Sequence, residues 1–165
     1  MKVQTVSEGK YGGSKTIFEW LTTLKKLPQF GHGFSVPKDA GKKTALARLL
    51  VAIFEPLQNS EVVLYVSEWG VWPSSENMEL FDSYRLAKRE TRKLEEAPVH
   101  SFESADDPAL MGTLCLALYF IWGVEIFDSE RKCSVSLSHD ERFEIRTSDP
   151  SALEVCNHAA SNGAL

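Results

Sequence analysis

At 165 residues, with 43% hydrophobic, 10% aromatic and 25% charged side chains, the chain is long enough for one hydrophobic core and far in composition from disordered or membrane-embedded sequences. Its net charge of −5 at pH 7 and its pI near 5.4 weigh against a protein whose main partner is nucleic acid, because phosphate neutralisation supplies most of that affinity. The longest apolar stretch, Leu110 to Trp122, is too short to cross a bilayer, and Met1 to Lys10 lacks the apolar run of a secretory signal, so a cytoplasmic location is expected.

In chain order, Lys2 to Val6 alternates as a short strand, and Gly9, Gly12 and Gly13 loosen the backbone behind it. Ser14 is placed to cap a first helix, in which Ile17, Trp20, Leu21, Leu24 and Leu27 recur at helical spacing until Pro28 stops it. Gly31, Gly33, Pro37 and Gly41 mark Gln29 to Gly41 as a loop. Thr44 to Leu57 reads as a second helix with Leu46, Leu49, Leu50 and Ile53 inward, ending around Pro56. Glu61 to Trp72 carries the run Val62-Val63-Leu64-Tyr65-Val66, which suits a central strand covered on both faces.

Pro73-Ser74-Ser75-Glu76 opens a third helix, with Leu80, Phe81, Tyr84 and Ala87 inward and Arg85, Arg89 and Arg92 as a solvated basic stripe. Val99 to Phe102 is a short strand. Asp106-Asp107-Pro108 then starts the helix Ala109 to Trp122, which Gly123 closes in the left-handed position. Val124 to Phe127, Cys133 to Leu137 and the alternating Phe143 and Ile145 form a hairpin or meander, and Asp149-Pro150 starts a last helix to about Ala160. The pattern predicts an α/β fold, or its α+β variant: a single-layer mixed or antiparallel sheet of about four to five strands with helices packed on it. Residues 1–165 are expected to make one domain, with 1–13 and 161–165 as flexible ends.

Charge is unevenly distributed. Residues 1–60 hold nine Lys and Arg against four Asp and Glu, a balance of +5, whereas residues 61–165 hold nine against nineteen, a balance of −10. Because the basic residues are dispersed, this asymmetry fits two sequence halves that cover each other better than a basic arm. Cys115, Cys133 and Cys156 are odd in number, widely spaced and set in apolar segments, as suits reduced thiols packed as small hydrophobes.

Two segments approach a phosphate-binding loop without completing it. Gly9-Lys10-Tyr11-Gly12-Gly13-Ser14-Lys15-Thr16 has Ser14 where the last glycine belongs, and Gly41-Lys42-Lys43-Thr44 lacks the first one. Ser138-His139-Asp140-Glu141 is the densest titratable cluster. Read as a strand it places His139 and Glu141 on one side with Asp140 away; read as a turn it only orients backbone. His100, Glu68 and Glu76 are the side chains that would complete a catalytic site there if the fold gathered them. No metal site and no cofactor are expected. Trp69-Gly70-Val71-Trp72-Pro73 is aromatic enough for a binding edge.

The segments Glu68-Trp69-Gly70-Val71-Trp72-Pro73-Ser74-Ser75-Glu76-Asn77, Glu96-Ala97-Pro98-Val99-His100-Ser101-Phe102 and Ser138-His139-Asp140-Glu141 together resemble a recurring pattern in a family of small uncharacterised bacterial proteins, over residues 60–147. The resemblance implies a bacterial origin and a candidate binding surface of Trp69, Trp72, Ser75, Asn77 and Arg85, but no reaction. The leading expectation is therefore a non-catalytic binding protein, an immunity, defence-related or regulatory factor that occupies the surface of a protein partner. The alternative is a hydrolase or metal-assisted enzyme built on His139, Asp140, Glu141, His100 and Glu76. Nucleic-acid binding through Lys25, Lys26, Lys38, Lys42, Lys43 and Arg48 ranks below both.

Overall fold

The computed structural model describes residues 2–4, 13–57, 60–69, 75–105 and 107–165, with the backbone alone at 2–4, 13–16 and 75–77. Its elements are β1 (Lys2–Gln4), α1 (Gly13–Leu24), β2 (Gln29–Ser35), α2 (Ala40–Phe54), β3 (Val62–Glu68), α3 (Ser75–Ala87), β4 (Val99–Phe102), α4 (Pro108–Phe120), β5 (Gly123–Asp128), β6 (Cys133–Ser138), β7 (Arg142–Thr147) and α5 (Pro150–Ser161). The strands form one sheet in the order β1-β4-β3-β5-β6-β7-β2, antiparallel at every pairing. The expected single sheet under packed helices is what the chain adopts, in the α+β form and with seven strands.

The additional strand comes from the segment whose glycines read as a loop. β2 pairs with the outer edge of β7, Gln29 opposite Arg146 and Ser35 opposite Arg142. Its register slips between Phe30 and Phe34, where Gly31 and Gly33 take φ of 70° and 84°. The glycines build a bulged edge strand rather than preventing one. Phe34 supports it by stacking 5.2 Å from Phe143.

β3 lies between β4 and β5, as its apolar run requires, with Val62, Val63, Leu64 and Val66 at most 1% exposed. Alternation along the strands sorts the sheet into two faces. On the first, Val62, Leu64, Val66, Ile126, Val135 and Ile145 meet α2, α4, α5 and Phe81 of α3 in the main core. On the second, Val63, Val99 and Phe127 are covered by Ile17 and Leu24 of α1. Each such fully buried side chain contributes about 1.5–3 kcal/mol of burial. Cys133 and Cys156 are buried free thiols of the main core, and Cys115 is a half-buried one. No helix among the described residues is long and apolar enough to cross a membrane.

α4 begins where Asp107-Pro108 indicates, the Asp107 carboxylate accepting the Ala109 N–H at 2.8 Å. It ends differently from expectation: Ile121, not Gly123, takes the left-handed conformation, with φ 56°. Gly123 serves another need. A Cβ there would meet Glu68 Cβ, Glu68 Oε2 and Ser67 Oγ, each at 3.0 Å, so any side chain would have to displace Glu68 or Ser67 for β5 to start this close to the end of β3.

α3 also departs from its expected faces. Leu80 is 49% exposed and Ala87 is exposed, whereas Phe81 and Arg85 are buried. The basic stripe does not form. The helix stops at Ala87, Arg89 lies beyond it at φ 65°, and Arg92 pairs with Glu90 in the following loop.

Candidate functional site

β6 and β7 pair up to Ser138 opposite Arg142, leaving His139-Asp140-Glu141 as the turn between them. The Ser138 hydroxyl accepts the Asp140 N–H at 3.1 Å, and Glu141 closes the turn at φ 58°. In a turn the two-residue alternation of a strand does not apply. Asp140, not Glu141, therefore stands by the imidazole, with its Oδ1 3.4 Å from His139 Nε2. His139 Nδ1 lies 2.5 Å from Oε2 of Glu68, which the end of β3 delivers from 71 residues away. The hydrogen bond to Glu68, reinforced by the charge of Asp140, holds the imidazole pKa above its ordinary value. The hydrogen bond to Glu68 at Nδ1 and the looser contact of Asp140 with Nε2 together favour the cationic ring. Among the described residues, no group of three His, Cys, Asp or Glu is placed to hold a metal ion.

His100 does not join this cluster. It sits in β4 opposite Leu64, fully buried on the main-core face, its ring 5.5 Å from Phe81. Neither ring nitrogen has a hydrogen bond of good geometry. Desolvation, helped by the nearby charge of Arg85, drives its pKa from 6.5 down to about 3, so the ring is neutral. Arg85, expected at a surface, is 1% exposed. Its guanidinium donates to the carbonyls of Arg92 at 2.9 Å and Ala97 at 3.0 Å, which ties the loop between α3 and β4 to the helix. Trp72 lies outside the described residues, and Ser75, Glu76 and Asn77 are described only as the backbone of the first turn of α3. Trp69 follows β3 directly and is half-buried.

Of the two phosphate-loop near misses, the first half of the first, 9–12, falls outside the described residues, and 13–16 is described as backbone alone. The second forms the first turn of α2, where the Asp39 carboxylate already accepts the Lys42 N–H at 2.9 Å. Thr44 donates to the Ala40 carbonyl, and Lys43 is folded over the Tyr119 ring. The Lys42 N–H, the Thr44 hydroxyl and the Lys43 ammonium of this turn are thus already engaged.

α1 lies over the second sheet face, with an opening on either side of it. On the β3–β4 side is an apolar groove of about 460 Å³ lined by Ile17, Phe18, Tyr65, Trp69 and Pro98, with Glu95 as its one charged liner among the described residues. Phe18 is 71% exposed there. On the β6–β7 side is a polar cleft of about 140 Å³ under Leu21 and Leu24. Its floor is a cross-strand row, Glu125 beside Ser136 beside Glu144, set by the register of β5, β6 and β7. The Ser136 hydroxyl donates to Glu125 Oε2, and burial pushes the Glu125 carboxyl up from its ordinary pKa. Sequence reading did not find this cleft. The signal available was the polar outward alternation of Glu125, Ser134, Ser136, Glu144 and Arg146 over three consecutive strands.

The chain matches no known family, no curated protein and no solved structure.

Proposed function

We propose that the chain is a non-catalytic bacterial binding protein of the cytoplasm, an immunity, defence-related or regulatory factor that acts by occupying a partner protein's surface. The observation that carries this reading is the apolar groove beside α1, where Phe18 is 71% exposed next to Trp69. Large aromatic side chains at the mouth of a groove are the kind of anchor that dominates protein interfaces. Glu95 is the charged residue lining the groove among the described residues, so the occupant it suits is an apolar segment carrying a Lys or Arg. The resemblance of the segments around Trp69, Pro98 and His139 to small bacterial proteins supports the setting. The hydrolase reading is weaker, because His100, expected to complete its site, lies in the core and does not meet His139.

The test is affinity capture from the source organism at low and moderate salt, followed by reconstitution with the purified partner. A stoichiometric partner should bind about tenfold or more weaker to Phe18→Asp, with circular dichroism unchanged. No stoichiometric partner at either salt, or a reconstituted complex indifferent to Phe18→Asp, would overturn the proposal.

A further inference from the structure

The polar cleft on the other side of α1 plays no part in that reading, yet its construction works against stability. Where α1 covers the second sheet face elsewhere, the strands offer Val63, Val99 and Phe127. A leucine at position 125 would extend that packing toward Leu21 and Leu24. The chain instead places a carboxyl there, supported by one hydrogen bond from Ser136 and by no cation within ion-pair distance among the described residues. A largely desolvated carboxylate answered this incompletely destabilises a fold, and such groups are concentrated at binding sites.

The neighbouring charges are arranged differently. Glu144 is paired with Arg146 at 3.0 Å, and the same guanidinium donates to Gln29 Oε1 at 3.2 Å and to the carbonyls of Lys25 and Leu27 at 3.3 and 3.4 Å. Both terminal nitrogens of Arg146 are thus engaged, and its nearest carboxylate is Glu144. Two charges remain toward the open volume: Glu125 on the floor and Lys25 at the rim, at the end of α1. The space of about 140 Å³ corresponds to about five water molecules in the liquid.

We propose that this cleft binds a small zwitterion of the amino-acid class, its ammonium on Glu125, its carboxylate on Lys25 and its short side chain against Leu21 and Leu24. The charge pattern selects this class. A simple carboxylate meets Glu125 as a repelling floor, and a simple amine leaves Lys25 as an unanswered like charge, whereas a zwitterion satisfies both groups without adding net charge.

The experiment is ligand-detected NMR followed by calorimetric titration of the full chain with glycine, L-alanine and L-serine, using ethylamine and propionate as single-charge probes. At least one amino acid should bind saturably at one site, with both single-charge probes weaker by about tenfold or more. Glu125→Gln should abolish binding and raise the thermal midpoint, which distinguishes loss of a ligand group from loss of fold. Lys25→Ala, at an exposed position, should weaken amino-acid binding and leave ethylamine binding no weaker. Absence of binding by all three amino acids, binding that survives Glu125→Gln, or ethylamine binding as tightly as the amino acids would overturn the proposal.

Discussion

Taking His100 out of water removes its charge, and the fold holds it neutral down to about pH 3 while the unfolded chain protonates the same ring near 6.5. Between those values the unfolded state binds a proton that the folded state refuses, so acidification favours unfolding through this residue. His139 has the opposite sign. Its folded pKa is raised by Glu68, so its contribution is present below the ordinary histidine pKa and is lost as pH rises through the raised value. The expected outcome for His100→Phe is a protein whose stability relative to wild type improves as pH falls below about 6.5, by up to about 1.4 kcal/mol per pH unit. Urea unfolding of both proteins across that range measures it, and parallel curves would show that His100 carries no such linkage. Phenylalanine also removes two buried nitrogens that have no hydrogen bond of good geometry, which favours the variant at neutral pH as well.

Elements were legible where one local signal decided them. Asp107-Pro108 and Asp149-Pro150 start α4 and α5, with Asp149 accepting the Ser151 and Ala152 N–H groups at 2.9 and 3.0 Å. The uninterrupted apolar run of β3 marked a strand buried on both faces. β2 was not legible, because Gly31 and Gly33 argue locally for a loop and only the open edge of β7 makes the segment a strand. The polar cleft was hidden for a related reason. Glu125, Ser136 and Glu144 each read as the wet side of their own strand, and only register lines them up. The Glu68–His139 pair was half legible, since the residues were named but nothing local brings β3 to the β6–β7 turn. That junction depends on the bare backbone at the start of β5. Gly123→Ala is expected to displace the Glu68 carboxylate, cost about 1 kcal/mol or more, and let the His139 pKa fall toward its ordinary value in an NMR titration. An unchanged His139 titration would mean that Gly123 does not position Glu68.

Across the whole molecule, the two faces of the sheet are unequally held. Among the described residues, twenty-nine buried apolar side chains form the main core and five form the cluster under α1. Local stability follows buried apolar contact, so α1 should open in a sub-global event well below the free energy of complete unfolding. Hydrogen exchange should show its amides exchanging faster than those of α4, β3 and β5, whereas equal protection would place α1 in the same cooperative unit. The lopsided charge takes a spatial form at this scale. α1 and α2, from the basic first 60 residues, cover opposite faces of a sheet drawn mostly from the acidic remainder. Leu21 lines both the groove and the cleft, which makes α1 a wall common to two chambers. A wall that moves to enlarge one chamber shrinks the other. By thermodynamic reciprocity, any occupant that gains from moving it weighs on the opposite occupant by the same free energy. A helix held by so small an apolar cluster is therefore built like a balance beam, with the groove on one arm and the cleft on the other.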